Sequence, residues 1–267
     1  MSVTVTLDNF SIEQICRSGQ CFRMSELQDG AYEVIAFGRY LKVHQNLSEV
    51  TFDCSQEEYN DIWVPYFDLN RNYGEIISSI DKNDQYLVNA AKNGSGIRIL
   101  RQDLWEMIIT FIISQRNNIK RIRKSISGLC QEFGEEKTSE NGTVYYDFPT
   151  SEALYKADIE RINSKSVGYR DKYIKKAAEA IFLGEFDLAS LYDMEYDEAK
   201  NKLLTLFGVG EKVANCICLF GLHHVEAFPI DTHIIQVLDR EYKSGFPFEK
   251  YEGYAGILQQ YMFFNEL

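Results

Sequence analysis

The feature that most constrains this chain is a change of hydrophobic period near residue 54. Before it, AYEVIAF (Ala31 to Phe37) and YLKVHQN (Tyr40 to Asn46) are short β-branched and aromatic runs, broken at Asp29-Gly30 and Gly38. That is the punctuation of strands. A short helix is expected over Ser11 to Arg17. From about Ser55 the apolar residues fall into helical spacing. LWEMIITFII (Leu104 to Ile113) and IKRIRKSISGLCQEF (Ile119 to Phe133) are amphipathic stretches bounded by polar residues. Residues 134–148 are polar and acidic and read as a loop. Further helices are expected over 151–163, 170–183, 196–206, 211–222, 232–240 and 254–263. The pattern predicts an α+β protein. A small N-terminal antiparallel β-sheet domain with short helices covers 1–95, and a larger all-helical domain covers 96–267.

Of the 267 residues, 45% are apolar, enough to bury a sizeable core. No apolar run reaches the ~18 residues that would span a bilayer. The opening MSVTVTLDNF has neither a basic start nor a long apolar stretch, so no secretory signal is expected. Cys16, Cys21, Cys54, Cys130, Cys216 and Cys218 are scattered without zinc spacing. Reduced thiols in an intracellular protein are expected, in cytoplasm or nucleoid if the source is prokaryotic. The net charge of −12 argues against a nucleic-acid partner, although a local field can oppose a global one. Two clusters are basic: Lys120, Arg121, Arg123 and Lys124, and Arg170, Lys172, Lys175 and Lys176. Composition alone reads each as a solvated helix face.

The chemistry concentrates in LLTLFGVGEKVANCICLFGLHHVEAFPID, Leu203 to Asp231. One helix runs into Leu206-Phe207-Gly208-Val209-Gly210 and a second starts at once. The glycines permit a tight turn and close backbone approach. The new helix start offers free N–H groups and a partial positive charge, which suits a phosphate. Lys212 lies in its first turn. An attacking amine must be neutral, and a helix N-terminus and burial both disfavour the ammonium. A phosphate-contacting or exposed lysine is the plainer alternative. Asp231 precedes the next helix and reads equally as its N-cap or as a carboxylate facing a site. Cys216, four residues after Lys212, shares its helix face.

LFGVGEKVANCICL followed by FPIDTHI resembles the helix-hairpin-helix DNA glycosylase superfamily. Within it, the chain resembles the 8-oxoguanine DNA glycosylase/AP lyase family. SGQCFRM (Ser18 to Met24), ISQRNNIKRI (Ile113 to Ile122), GYRDKY (Gly168 to Tyr173) and YAGILQQYMFF (Tyr254 to Phe264) resemble that family's segments in its order. The resemblance implies a bifunctional enzyme that flips 8-oxoguanine out of duplex DNA. Lys212 attacks C1′ to form a Schiff base, Asp231 stabilises the developing charge, and β-elimination cuts the strand. The Gly19 carbonyl would accept from N7–H of the oxidised base. Gln259 would read the Watson–Crick edge, and Cys216 and Phe263 would sandwich the ring. Phosphate contacts fall to Gly208, Gly210, Val213 and His233. Arg116, Asn117, Arg121, Tyr169 and Arg170 match positions that face the opposite strand, with arginine at 116 where the family usually has asparagine. The hairpin carbonyls of Leu204, Leu206 and Val209 would hold a structural cation. No cysteine follows Cys218, so a four-cysteine iron–sulfur cluster is excluded, and no cofactor is required. Duplex DNA carrying 8-oxoguanine is the expected partner of a monomer that does not contact membrane. Two alternatives stay open: a helix-hairpin-helix glycosylase for another damaged base, and a non-catalytic helix-hairpin-helix DNA-binding protein.

Overall fold

The computed structural model describes residues 1–267. Five strands form an antiparallel sheet in the order β1-β5-β4-β3-β2: β1 Val3–Thr6, β2 Met24–Glu26, β3 Tyr32–Ala36, β4 Arg39–Asn46 and β5 Glu49–Phe52. Both β1 and β4 pair with β5, Val3 and Val43 each opposite Phe52. Alternation of burial makes the sheet amphipathic: Leu41 and Val43 of β4 and Val50 and Phe52 of β5 point inward. The expected helix at residue 11 is Ile12–Arg17, with the Ser11 hydroxyl accepting from Gln14 N–H.

The chain divides into two compact units that are each discontinuous in sequence. The first comprises Met1–Glu33, Leu41–Arg101 and His223–Leu267. Its core is aromatic: Phe67 meets Phe10, Phe52 and Tyr66 with ring centroids 5.5, 5.7 and 4.9 Å apart. Helix Ala255–Asn265 runs through this unit with every residue from Ala255 to Met262 buried, and helix Gln85–Asn93 packs against it. One buried guanidinium ties the unit's loops. Arg98 donates to the carbonyls of Asn9 (3.1 Å), Asp68 (2.8 Å), Arg71 (3.2 Å) and Asp8 (2.9 Å), and lies over the Tyr73 ring.

The second unit comprises Val34–Tyr40 and Gln102–Leu222. Helix Leu104–Ser114 starts at Asp103, whose carboxylate accepts from Glu106 N–H at 2.8 Å, and is buried on nearly all sides. Helix Ile119–Phe133 has the span expected from its periodicity. Asn118 caps it, and Ile122, Ile126, Leu129 and Cys130 face inward. The stretch expected to be a loop is instead a short hairpin, β6 Glu136–Thr138 against β7 Val144–Tyr146. Asn141-Gly142 turns it, with Gly142 at φ 84°. An ion pair between Lys137 and Asp147 (2.5 Å) and a bond from the Tyr145 hydroxyl to the Gly38 carbonyl (3.1 Å) hold it. Three-residue strands are too short for alternation to register in the sequence, even where one of them, Val144–Tyr146, is β-branched and aromatic.

The remaining α-helices are Gln56–Glu58, Val64–Tyr66, Tyr73–Ser78, Ser151–Lys156, Ile159–Ile162, Asp171–Phe182, Tyr196–Leu203, Glu211–Ile217 and Thr232–Glu241. The second basic cluster is a solvated face only at Lys172 and Lys176. Arg170 is buried, and Lys175 Nζ donates to the carbonyls of Leu154, Tyr155 and Ala157 at the end of helix Ser151–Lys156. No helix is long and apolar enough to cross a membrane. Replacing Arg98 with Met keeps its apolar stem but orphans four carbonyls, so unfolding in urea should show a loss of roughly 3 kcal/mol or more. Wild-type stability in that variant would remove Arg98 from its role as the unit's tie.

Candidate active site

In the second unit, helix Tyr196–Leu203 leads into the turn at Gly208 and helix Glu211–Ile217 leaves it. Gly208 adopts φ 89°, and a Cβ there would lie 2.4 Å from Tyr173 Cγ. Gly210 is the N-cap and is exposed, with open space where a Cβ would project. Lys212 is half-buried. Its Nζ donates to the Ser114 hydroxyl at 3.2 Å and lies 5.3 Å from the centroid of the Phe111 ring. Val213 and Cys216 are buried on the same helix, which packs against Leu104–Ser114. The carbonyls named for a cation form a neutral donor set. That of Leu206 also accepts from Val209 N–H at 3.0 Å, and no group of three or more His, Cys, Asp or Glu could hold a metal. Such a set suits a weakly held monovalent ion and offers no Lewis-acid chemistry.

The residues matched to the opposite strand divide by environment. Arg116 is exposed in the left-handed region at φ 47°, and Arg121 is exposed in the first turn of helix Ile119–Phe133. Asn117 folds back, its Nδ2 donating to Ile113 O and its Oδ1 accepting from Asn118 N–H, both at 3.0 Å. Tyr169 is 52% exposed with its ring edge on Tyr173 at 5.9 Å. Arg170 is 5% exposed. It donates from Nε to Gln115 O (2.9 Å), from Nη1 to Val167 O (2.9 Å) and from Nη2 to Gln115 O and Arg116 O (3.2 Å). This guanidinium shapes the 115–116 turn, with its plane over the Tyr169 ring at 4.6 Å.

The first unit gathers the other candidates. Asp231 caps helix Thr232–Glu241, its Oδ1 accepting from Ile234 N–H at 2.9 Å. Two residues on, the His233 ring meets Phe263 edge-on at 5.8 Å. Gln259, 3% exposed, donates from Nε2 to Pro229 O at 3.0 Å, while its Oε1 is buried without a partner. Gln260 donates to Ser18 O at 2.6 Å, beside Gly19 at φ 75°. Gln20 completes that loop: its Nε2 donates to Ser18 Oγ and Arg98 O, and its Oε1 accepts from Leu100 N–H. Ser114, Gln115, Gln20 and Gln260 were not singled out in the sequence. All four lie inside the quoted motifs; Gln20 and Gln260 are buried and Ser114 and Gln115 half-buried, so polar type inside an otherwise apolar motif is the available signal.

Residues 109–245 match the HhH-GPD superfamily of base excision DNA repair proteins. That match covers half of the chain and places it in the class of helix-hairpin-helix base excision DNA repair proteins. Residues 2–108 match the N-terminal domain of 8-oxoguanine DNA glycosylase, and the chain belongs to that family. It is 38% identical to the N-glycosylase/DNA lyase of Saccharomyces cerevisiae, over 55% of this chain and 42% of that protein. It is 34% identical to N-glycosylase/DNA lyase OGG1 of Arabidopsis thaliana, over 65% and 48%. The chain thus spans less than half the length of these two curated relatives. Among solved structures, the Clostridium acetobutylicum 8-oxoguanine glycosylase/lyase, bound to duplex DNA with cytosine opposite the lesion, superposes with TM-score 0.93 at 34% identity, covering 99% of this chain and 94% of that one. The MBOgg1 structure with a low-affinity DNA ligand gives 0.93 at 37% identity, covering 99% and 95%.

The two hairpin glycines should respond differently to alanine. Gly208→Ala must adopt positive φ and displace Tyr173, and should cost about 2 kcal/mol in denaturant unfolding. Gly210→Ala has room and an ordinary φ, so its unfolding midpoint should stay near wild type. Equal stability of the two variants would contradict the close approach at Tyr173.

Proposed function

We propose that this chain is a bifunctional DNA glycosylase/AP lyase that removes 8-oxoguanine from duplex DNA. The observation that carries the reading is the buried, unpartnered Oε1 of Gln259. It is an acceptor awaiting a donor, beside the backbone segments that Gln259 and Gln260 tie down. The N1–H and exocyclic amine of a guanine-type base supply such donors. The Gly19 carbonyl, brought near without a side chain, accepts from N7–H of 8-oxoguanine. Guanine has a lone pair there and would set acceptor against acceptor, a mismatch of ~1–3 kcal/mol. Phe263 and Cys216 supply apolar faces for the ring.

Lys212 is the nucleophile. Its neutral amine forms a bond to C1′ as the C1′–N9 bond breaks, the electron pair leaving with the base, which takes up a proton. Opening of the sugar C1′–O4′ bond gives the Schiff base. Loss of the C2′ proton then expels the 3′ phosphate. The Asp231 carboxylate stabilises the positive charge developing on the sugar while one oxygen serves the cap. The N–H groups around Gly208, Gly210 and Val213, with His233, receive phosphate oxygens. Arg116, Asn117, Arg121 and Tyr169 face the opposite strand, and Arg170 shapes the turn that presents Arg116. A monovalent cation on Leu204, Leu206 and Val209 steadies the hairpin. The protein acts as an intracellular monomer without a redox cofactor or an iron–sulfur cluster.

Lys212→Gln should abolish the borohydride-trapped adduct and strand cleavage while duplex binding persists, and an undiminished adduct would exclude Lys212. Asp231→Asn keeps a capping acceptor. Excision should slow by orders of magnitude at near wild-type thermal stability, whereas activity near wild type per folded molecule would reduce Asp231 to a cap.

Arg116 carries a charged, adaptable side chain on a left-handed backbone that asparagine tolerates better. Arg116→Asn should therefore stabilise by about 0.5 kcal/mol. It should also widen discrimination for cytosine opposite the lesion, read as single-turnover excision on four duplexes at matched salt. Unchanged ratios would return Arg116 to a general phosphate contact.

A further inference from the structure

Two consecutive residues outside the bond-making chemistry lie against the lysine and its hairpin. Ser114 ends helix Leu104–Ser114. Its hydroxyl donates to Phe111 O at 2.8 Å, so its one proton is committed. Lys212 Nζ donates to the oxygen that remains, at 3.2 Å. Gln115 follows. Its Nε2 donates to Gly208 O at 3.0 Å and Ile112 O at 3.2 Å, and its own carbonyl is gripped by Arg170. Gly208 stands four residues before Lys212 in the hairpin. One short stretch therefore holds both the tip of the lysine and the turn from which its helix begins.

We propose that Ser114 and Gln115 are positioning residues for Lys212, an inference that rests on Lys212 being the nucleophile. A neutral amine has two N–H bonds and one lone pair. A hydroxyl free to rotate could donate to that lone pair and block attack. Ser114 cannot, because its proton is already given to Phe111. It accepts one amine N–H and leaves the pair unshared, which fixes the direction from which the nucleophile approaches. A lysine stem has four rotatable carbons, and attack requires a narrow range of their arrangements. Gln115 restricts the other end of the same problem. By holding the Gly208 carbonyl it sets where the hairpin turn, and hence the base of the Lys212 stem, sits within this unit. The lysine is thereby fixed at both ends by neutral groups, which bring no carboxylate against it.

The test is single-turnover borohydride trapping on a duplex with 8-oxoguanine opposite cytosine, with dissociation constants measured in parallel. Trapping by the wild type and none by Lys212→Gln establishes the nucleophile first. Failure at that step overturns the reading of Lys212 as well as this inference. Ser114→Ala should then lower the trapping rate at saturating duplex by about tenfold, with affinity within about twofold, since an orienting bond is lost and no DNA contact is. Ser114→Thr keeps the hydroxyl and should restore most of the rate. Gln115→Met keeps the volume without the amide and should lower the rate at saturating duplex several-fold, with a smaller loss of affinity because the same turn offers phosphate contacts. Thermal unfolding of each variant reports its folded fraction, by which rates are normalised. Wild-type trapping in Ser114→Ala overturns the proposal for Ser114, as does a loss that Ser114→Thr fails to restore. A Gln115→Met defect that appears in affinity and leaves the rate intact overturns it for Gln115.

Discussion

A buried guanidinium needs its donors satisfied, and in each unit one such group decides where functional loops lie. Arg98 collects carbonyls from Asp8, Asn9, Asp68 and Arg71. Its own carbonyl receives the Gln20 amide, next to Gly19. Arg170 does the same for Gln115, Arg116 and Val167. A carbonyl gains from a charged donor what it would lose by leaving water, and the planar fork fixes several carbonyls at once. Segments with no regular secondary structure thereby become rigid. Rigidity is what a backbone atom needs if it is to recognise a ligand, because a mobile carbonyl discriminates nothing.

The same economy bears on the net charge of −12. Several cations serve the interior: Arg98 and Arg170 are buried, and Lys175 caps a helix. Others are paired, as Lys165 is with Glu132 at 2.9 Å. The exposed cations Arg116, Lys120, Arg121 and Lys124 cluster around one helix start. A helix N-terminus adds its own partial charge there. A chain that is acidic overall can thus present a positive patch, and the total charge describes the rest of the surface.

Legibility in the sequence followed the range of the interactions. Helix Ile119–Phe133 could be bounded because its cap, Asn118, and its apolar stripe are local. The β6–β7 hairpin could not, since its strands depend on Gly38 and on the Lys137–Asp147 pair, and only Asn141-Gly142 advertised a turn. Among the candidate residues, Lys212 and Asp231 announce themselves by chemical type, one beside a glycine turn and the other before a helix start. Arg170 reads in the sequence as a donor to DNA, yet most of its donors go to backbone carbonyls more than fifty residues away. Ser114 was equally opaque. Its relevance lies in a contact to Lys212 across the second unit, and nothing in the motif around it says which way its hydroxyl points.

The paired glutamines of helix Ala255–Asn265 share one role and differ at one atom. Both are buried and both use Nε2 to hold a loop carbonyl, Gln259 that of Pro229 and Gln260 that of Ser18. The two loops they hold carry Asp231 and Gly19. The difference is at the other end of the Gln259 amide, whose Oε1 has no partner. A buried acceptor left unmade costs roughly 1–3 kcal/mol. The Nε2 bond to Pro229 O offsets part of that cost, since an apolar residue of similar size would avoid it only by leaving that carbonyl without its donor. A ligand with a suitably placed N–H recovers it on binding, and one presenting a lone pair instead adds repulsion to it. On the proposed reading, the unsatisfied oxygen would act as a filter for bases that present an N–H. Because the Pro229 carbonyl holds the other end of the amide, the oxygen cannot escape the mismatch by turning away.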